Sequence, residues 1–232
     1  ILSMHVLLLK PLKWFQWCRR PNQNLHCWVH GIEVWGKNQT LHKNALKRCH
    51  GLIASSSFTK KQLSSLNTDI KVVHPIADLF DPATEPQSLP ETIKLHTVAR
   101  MCKKEKYKGH ELVIDALHEL NQKEELPQSF VWDVIGDGNL LPELTKRVQE
   151  LGLEHLVCFH GSISDSDLRA AFQRCTVFLM PSQFKIDSLG NASGEGFGIV
   201  YLEAALAGRA SIGCDKGGQT DLIQHGQTGW LI

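Results

Sequence analysis

The feature that most constrains this chain is a repeated alternation. Apolar runs of strand length are followed, almost throughout, by amphipathic stretches of helix length. Parallel strands need a crossover connection, and a helix in that crossover covers one face of the sheet, so the alternation specifies βα units and parallel sheets. The expected class is α/β. Strands are predicted over 25–30, 51–55 and 70–73, with helices over 7–18, 41–50 and 59–66, about half of an ordinary α/β domain. A second series predicts strands over 93–99, 130–135, 156–159, 177–180 and 210–214, and helices over 111–121, 141–151, 165–175, 198–207 and near 220–224. With the last residues, which also read as strand, this series makes a doubly wound sheet of six strands, in which ligands bind at the strands' carboxyl ends.

Between the two series, Pro75, Pro82, Pro86 and Pro90 interrupt any helix and favour an extended connection. The expected organisation is a partial domain over 1–75, a linker over 76–91 and a nearly complete domain over 92–232. Ile1 and Ile232 both read as lying within strands, so a fragment cut at both ends is expected.

Composition removes several classes of function. Lys and Arg number 25 against 24 Asp and Glu, so no field of one sign gathers nucleic acid. The seven cysteines are scattered and never spaced Cys-x-x-Cys, which argues against both a disulfide framework and a zinc site, and for a reducing cytoplasm. No run of about 18 apolar residues could span a bilayer. Lys10, Lys13, Trp14, Trp17, Arg19 and Arg20 share an expected amphipathic helix. That helix either touches a lipid face peripherally or packs by its tryptophans with its charges in water.

The densest chemistry is in Gly194-Glu195-Gly196-Phe197-Gly198, which runs straight into an expected helix. Free N–H groups and the positive helix end at such a turn can face an anion such as a diphosphate. Glu203 is the only acid among the apolar residues that follow, and burying it without a donor would cost several kcal/mol. A ribose diol would supply two hydroxyl donors; a core Arg or Lys would serve equally, and Glu195 would then be an ordinary loop acid.

Two glutamates separated by seven residues around Gly-Phe-Gly, then Glu-Ala and Gly208, resemble the donor motif of the family-four retaining glycosyltransferases of the GT-B fold. Gly217-Gly218 with Asp221, and the stretch from His225 to Leu231, are similar to the segment that follows that motif, with Asp221 where the family more often has Glu. Val98-Ala99-Arg100 and Tyr107-Lys108-Gly109-His110 resemble the family's arginine and lysine pair. Gly136-Asp137-Gly138 is similar to its Gly-Asp-Gly turn, His160-Gly161-Ser162 to the turn bordering the nucleobase, and Pro181-Ser182 to its strand end. In the first part, Trp28-Val29-His30-Gly31-Ile32-Glu33 ends an expected strand in His-Gly-x-Glu, and Ala54 to Thr59 resembles a strand end with Ser56 or Ser57 as helix cap.

The resemblance implies two facing Rossmann-like domains, the first incomplete, and transfer of a hexosyl group from a UDP-, GDP- or ADP-sugar to a sugar, glycan or lipid-linked acceptor hydroxyl, with retention, in polysaccharide or glycoconjugate biosynthesis. It implies no cofactor and no metal, because two cations at the leaving diphosphate stabilise the charge that grows in the transition state. Arg100 and Lys108 are expected on the diphosphate, Glu195 with Gly196, Phe197 and Gly198 on the sugar and phosphate, Glu203 on the ribose, Gly136, Gly138 and His160 around the nucleotide, and His30 across the cleft. These side chains are expected to converge on one crevice, under a mobile loop over 183–193. Read residue by residue, plainer roles stay open: a solvated basic edge for Arg100 and Lys108, an ordinary turn for Gly-Asp-Gly, a structural histidine at 30. An epimerase or phosphorylase of the same fold, or a non-catalytic sugar-nucleotide-binding domain, are the rival functions.

Overall fold

The computed structural model describes residues 1–9, 24–79 and 91–232. The basic and aromatic stretch from Lys10 to Arg20, the remainder of the helix expected over 7–18 and most of the proline-rich connection lie outside the described residues. In chain order the strands and α-helices are β1 (Leu2–Ser3), β2 (His26–Val29), α1 (Lys37–Leu46), β3 (Gly51–Ala54), α2 (Ser57–Gln62), β4 (Ile70–Val72), β5 (Ile93–Val98), α3 (His110–Gln122), β6 (Phe130–Ile135), α4 (Leu141–Glu150), β7 (Val157–Gly161), α5 (Asp165–Arg174), β8 (Val177–Leu179), β9 (Lys185–Ile186), β10 (Ala192–Ser193), α6 (Ile199–Leu206), β11 (Ala210–Gly213) and β12 (Gly229–Leu231). The α/β class and the parallel sheets follow the sequence pattern.

Contacts divide the chain into two compact units that are not contiguous in sequence. One comprises Ile1–Ile76, Phe184–Gly198 and Lys216–Asp221; the other comprises Ala77–Gln183, Ile199–Asp215 and Leu222–Ile232.

The first unit carries a parallel sheet in the order β1-β2-β3-β4. Along β2, Cys27 and Val29 turn into the core while His26 and Trp28 are part-exposed, the period of two that a half-covered strand imposes. Trp35 is fully buried and meets Phe58 and Phe184 edge-to-face, with centroids at 5.3 and 5.5 Å, while Phe58 and Phe184 meet at 5.0 Å. Such edge contacts add about 0.5–1.5 kcal/mol each beyond area burial. Ser56 caps α2, its Oγ accepting from Thr59 N at 3.1 Å.

The second unit holds a parallel sheet in the order β12-β11-β8-β5-β6-β7. Renumbered from β5, that is the doubly wound order, in which the chain runs outward one way from β5 and then returns to build the other half from β8. One face is packed by Ile114, Leu117, Leu144 and Val148 of α3 and α4 against Trp132 and Val134. On the other, Phe172, Tyr201 and Ala204 of α5 and α6 pack with Phe178.

Of the helix expected over 7–18, residues 7–9 are described: Val6–Leu8 form a 3-10 turn and Leu9 is helical, and the rest lies outside the described residues. Three expectations are corrected. The helix expected over 59–66 is α2 followed by a separate 3-10 turn, Ser64–Leu66. The helix near 220–224 is a single 3-10 turn, Gly218–Asp221. The polar insertion over 183–193, expected as a mobile loop, contains the antiparallel ribbon β9/β10, and Asp187 ties its tip by accepting from Leu189 N, Asn191 N and Asn191 Nδ2 at 2.7–2.9 Å.

Candidate functional site

In the six-stranded sheet the strand order reverses between β5 and β8, and a doubly wound sheet binds ligands outside the carboxyl ends of the strands at that point. Arg100 stands two residues past the end of β5, with 74% of its side chain exposed and its guanidinium hydrogen-bonded to Glu105. Lys108 closes the 3-10 turn Lys103–Lys108, its Nζ 5.6 Å from the Tyr107 ring centroid. This turn is fastened to the end of β8: Gln183 N donates to the Tyr107 carbonyl at 2.8 Å. Gly109, at φ 87°, sits so close that a Cβ there would lie 2.6 Å from the Pro181 carbonyl. Both cations therefore sit on segments anchored at the switch point. Of the neighbouring lysines, Lys103 pairs with Glu143, and Lys106 with Glu111 and Glu143.

The Gly-Asp-Gly turn after β6 has a structural reason of its own. A Cβ at Gly136 would lie 2.1 Å from the Ala99 carbonyl and one at Gly138 2.3 Å from the Met101 carbonyl, both at positive φ. Met101 N donates to the Asp137 carbonyl and Leu140 N to the Met101 carbonyl, at 2.9 and 2.8 Å, and Gly136 N donates to the Gly161 carbonyl at 2.8 Å. The loops after β5, β6 and β7 are thus stitched into one rim, which carries Arg100 and borders His160. His160 itself points at Asp133, with Nε2 2.6 Å from Oδ1.

Glu203 lies on α6 and is half-buried. Among the described residues no side chain donates to its carboxylate, and none of their Arg or Lys side chains pairs with it. Burial pushes its carboxyl above the usual carboxylate range, and Asp165 and Asp78 add to the shift. The buried cation nearest in sequence, Arg209, is spent on the Phe172 and Gln173 carbonyls.

The first unit contains His30, Glu195, Gly196, Phe197 and Gly198. Both ring nitrogens of His30 are engaged: Nε2 lies 2.9 Å from the Met4 carbonyl and Nδ1 3.1 Å from Ser55 Oγ. Glu33, whose role the His-Gly-x-Glu pattern did not give, accepts from the backbone N–H groups of His30 and Gly31. Three glycines make this packing possible. A Cβ on Gly196 would meet the His30 carbonyl at 2.4 Å, one on Gly31 would meet Gly196 Cα at 2.9 Å, and one on Gly218 would meet the Gly196 carbonyl at 2.2 Å. Gly218 N also donates to the Glu195 carbonyl at 2.7 Å. The Glu195 turn is therefore held between the end of β2 and the Gly217-Gly218 turn.

Sequence reasoning missed one residue here, His74. His74 stacks on Phe197, with ring centroids 5.3 Å apart, and its Nε2 lies 2.9 Å from Asp221 Oδ2. The same oxygen accepts from Ser57 N at 2.6 Å, at the start of α2. Asp221 belonged to the motif that resembled the family, but nothing in the sequence around His74 marks it.

The family model described as glycosyl transferases group 1 matches residues 87–232. The GDP-mannose-dependent alpha-(1-6)-phosphatidylinositol monomannoside mannosyltransferase of Mycobacterium tuberculosis (strain CDC 1551 / Oshkosh) is 29% identical over 125 residues, 54% of this chain and 31% of that protein. The O-antigen chain mannosyltransferase C of Escherichia coli is 32% identical over 119 residues, 51% of this chain and 28% of that protein. The chain thus spans about a third of the length of these relatives. Among solved structures, the lipopolysaccharide outer core galactosyltransferase WaaB, apo form, has a TM-score of 0.76 at 21% identity, covering 100% of this chain and 60% of that one. Anabaena Alr3699/HepE in complex with UDP and glucose has a TM-score of 0.68 at 21% identity, covering 90% and 58%. The fold is that of the GT-B glycosyltransferases.

Proposed function

The chain belongs to the glycosyl transferases group 1, and from that premise we propose that it is the donor-handling part of an enzyme moving a hexosyl group from a nucleoside diphosphate sugar to an acceptor hydroxyl, with retention. The observation that carries the reading is Glu203, a half-buried carboxylate on α6 that no described side chain satisfies. Burial without a donor is costly, and a ribose diol supplies two. Arg100 and Lys108, at the switch point, would meet the diphosphate as its leaving charge develops, which lowers the barrier more than it lowers the ground state. Glu195 and the N–H groups of Gly196 to Gly198 would hold the sugar and the phosphate, with Gly136, Gly138 and His160 beside the nucleotide and His30 on the acceptor side. A leaving phosphate oxygen would take the acceptor proton on the same face. This chemistry asks for no organic cofactor and no metal at the diphosphate.

A sugar, glycan or lipid-linked alcohol is the proposed acceptor, in glycoconjugate biosynthesis, with peripheral membrane contact where the acceptor is a lipid. None of the described helices is long and apolar enough to cross a membrane. The described cysteines are free thiols, which fits the proposed cytoplasmic location.

A thermal-shift panel of UDP-, GDP- and ADP-linked sugars tests the reading. At 100 times its dissociation constant the right donor should stabilise the protein by about 2.7 kcal/mol. Glu203→Gln should weaken that donor about tenfold or more while leaving the unliganded melting temperature within a degree or two. Equal affinity in wild type and variant would remove Glu203 from the ribose, and with it the main support for the reading.

A further inference from the structure

On the central strands of the six-stranded sheet a row of ligating side chains runs across three neighbours. His96 on β5 is in register with Asp133 on β6, and Asp133 with Cys158 on β7. Residues paired in a parallel sheet project from the same face, so the three side chains share one side of the sheet. His160, at the end of β7, turns back to the same carboxylate, with Nε2 2.6 Å from Asp133 Oδ1. The ligand atoms of Asp133, Cys158 and His160 all lie within 4.8 Å of one another. Around a tetrahedral Zn²⁺, bonds of about 2.0–2.3 Å separate neighbouring ligand atoms by roughly 3.3–3.8 Å, so a metal entering the set would part Asp133 and His160, now hydrogen-bonded at 2.6 Å, and draw the more distant ligand atoms in.

A second observation points to the same place. His96 is buried, with 2% of its surface exposed; its Nε2 lies 3.1 Å from Asp133 Oδ2, and among the described residues its Nδ1 has no hydrogen-bond partner. A buried imidazole set behind the carboxylate is the arrangement that orients a metal-binding ligand from its far side. Cys158 and His160 are exposed, so the open side faces solvent and leaves room for a fourth ligand.

We propose that Asp133, Cys158 and His160, backed by His96, form a site for Zn²⁺ or a like divalent transition metal with one position open to water. Thiol and imidazole ligands favour such borderline ions and disfavour Mg²⁺ and Ca²⁺, which take oxygen. On binding, the Cys158 thiol proton leaves to buffer and the His160 proton moves to Nδ1, so that sulfur and Nε2 each offer a lone pair. The expectation of no zinc site rested on Cys-x-x-Cys spacing, and this cluster takes one residue from each of β5 and β6 and two from β7, which no local spacing reveals.

Co²⁺ is the spectroscopic probe, added to the chelator-treated chain, with Zn²⁺ as competitor. The expected result is one Co²⁺ per chain, a thiolate-to-cobalt charge-transfer band in the near ultraviolet, and displacement by Zn²⁺ but not by millimolar Mg²⁺. Cys158→Ser should abolish the band, and His160→Gln should weaken binding about tenfold or more. Cys102→Ser and Cys214→Ser should leave both unchanged. Both ligand positions tested are exposed, and far-UV circular dichroism checks that the variants keep the wild-type fold. Absence of a saturable band, or a band that survives Cys158→Ser, would overturn the site. So would loss of the band in either control.

Discussion

At His110 the surroundings set a charge state. The ring is buried at the start of α3, neither nitrogen has a hydrogen-bond partner among the described residues, and burial, with Lys108 beside it, pulls its pKa from 6.5 to about 4. In the unfolded chain this imidazole takes its proton near 6.5, whereas the folded chain resists until about 4. The unfolded state therefore binds more protons across that window. The contribution is intact above pH 6.5 and is lost progressively as pH falls towards 4, at up to about 1.4 kcal/mol per pH unit. His110→Leu, close in volume and unable to titrate, should flatten this acid limb. Urea unfolding of both proteins at pH 7, 5.5 and 4.5 measures it, and parallel limbs would show that His110 is not protonated on unfolding. The sequence placed His110 beside Lys108 in one motif, yet the packing of its neighbour Gly109 against Pro181, 72 positions later, is visible in space alone.

At the scale of elements, the loops after the strands hold the rim together through backbone contact. Gly136→Ala would put a methyl 2.1 Å from the Ala99 carbonyl at a φ of 129°. Steric overlap and left-handed strain together should cost more than about 2 kcal/mol, since strained φ alone costs about 1–3. Gly152→Ala is the control, because at φ 66° a Cβ there meets nothing within 4 Å, so only the strain remains. Denaturant midpoints compare them, and equal losses would mean that the rim yields to the methyl. The Gly-x-Gly spacing was legible in the sequence; its cause, a neighbouring carbonyl at Ala99, was not. Element boundaries divide in the same way. β6 spans 130–135 as expected, because apolar residues fill every position of it but Asp133. Helix α1 begins at Lys37 rather than near 41, since its first turn, Lys37-Asn38-Gln39-Thr40, is wholly polar and carries no amphipathic signal.

For the whole molecule, a cut made along the sequence is not a cut between compact units. The family match covers 87–232, yet Phe184–Gly198 and Lys216–Asp221 pack with Ile1–Ile76. Phe184 stands edge-on to Trp35 and Phe58, Ala192 lies in the same core, Lys37 N donates to the Gly190 carbonyl at 2.8 Å, and Asp221 receives Ser57 N at 2.6 Å. The apolar pattern could specify the sheets, because each strand's periodicity is local. It could not assign the 184–198 insertion to a unit, because its few apolar residues find partners about 150 positions earlier. A piece comprising 92–232 alone keeps the six-stranded sheet but strips these partners away, and exposing one large aromatic side chain forfeits roughly 1.5–3 kcal/mol. Limited proteolysis should therefore cut within 184–198 at least about tenfold faster in that piece than in the whole chain, while the amides of β5, β6 and β8 stay protected from exchange. Equal cleavage rates would mean that the ribbon and the glycine-rich turn after it draw their order from the six-stranded unit instead. The Glu195 turn would then keep its shape without β2, and Glu195→Ala would weaken donor binding equally in the piece and in the whole chain.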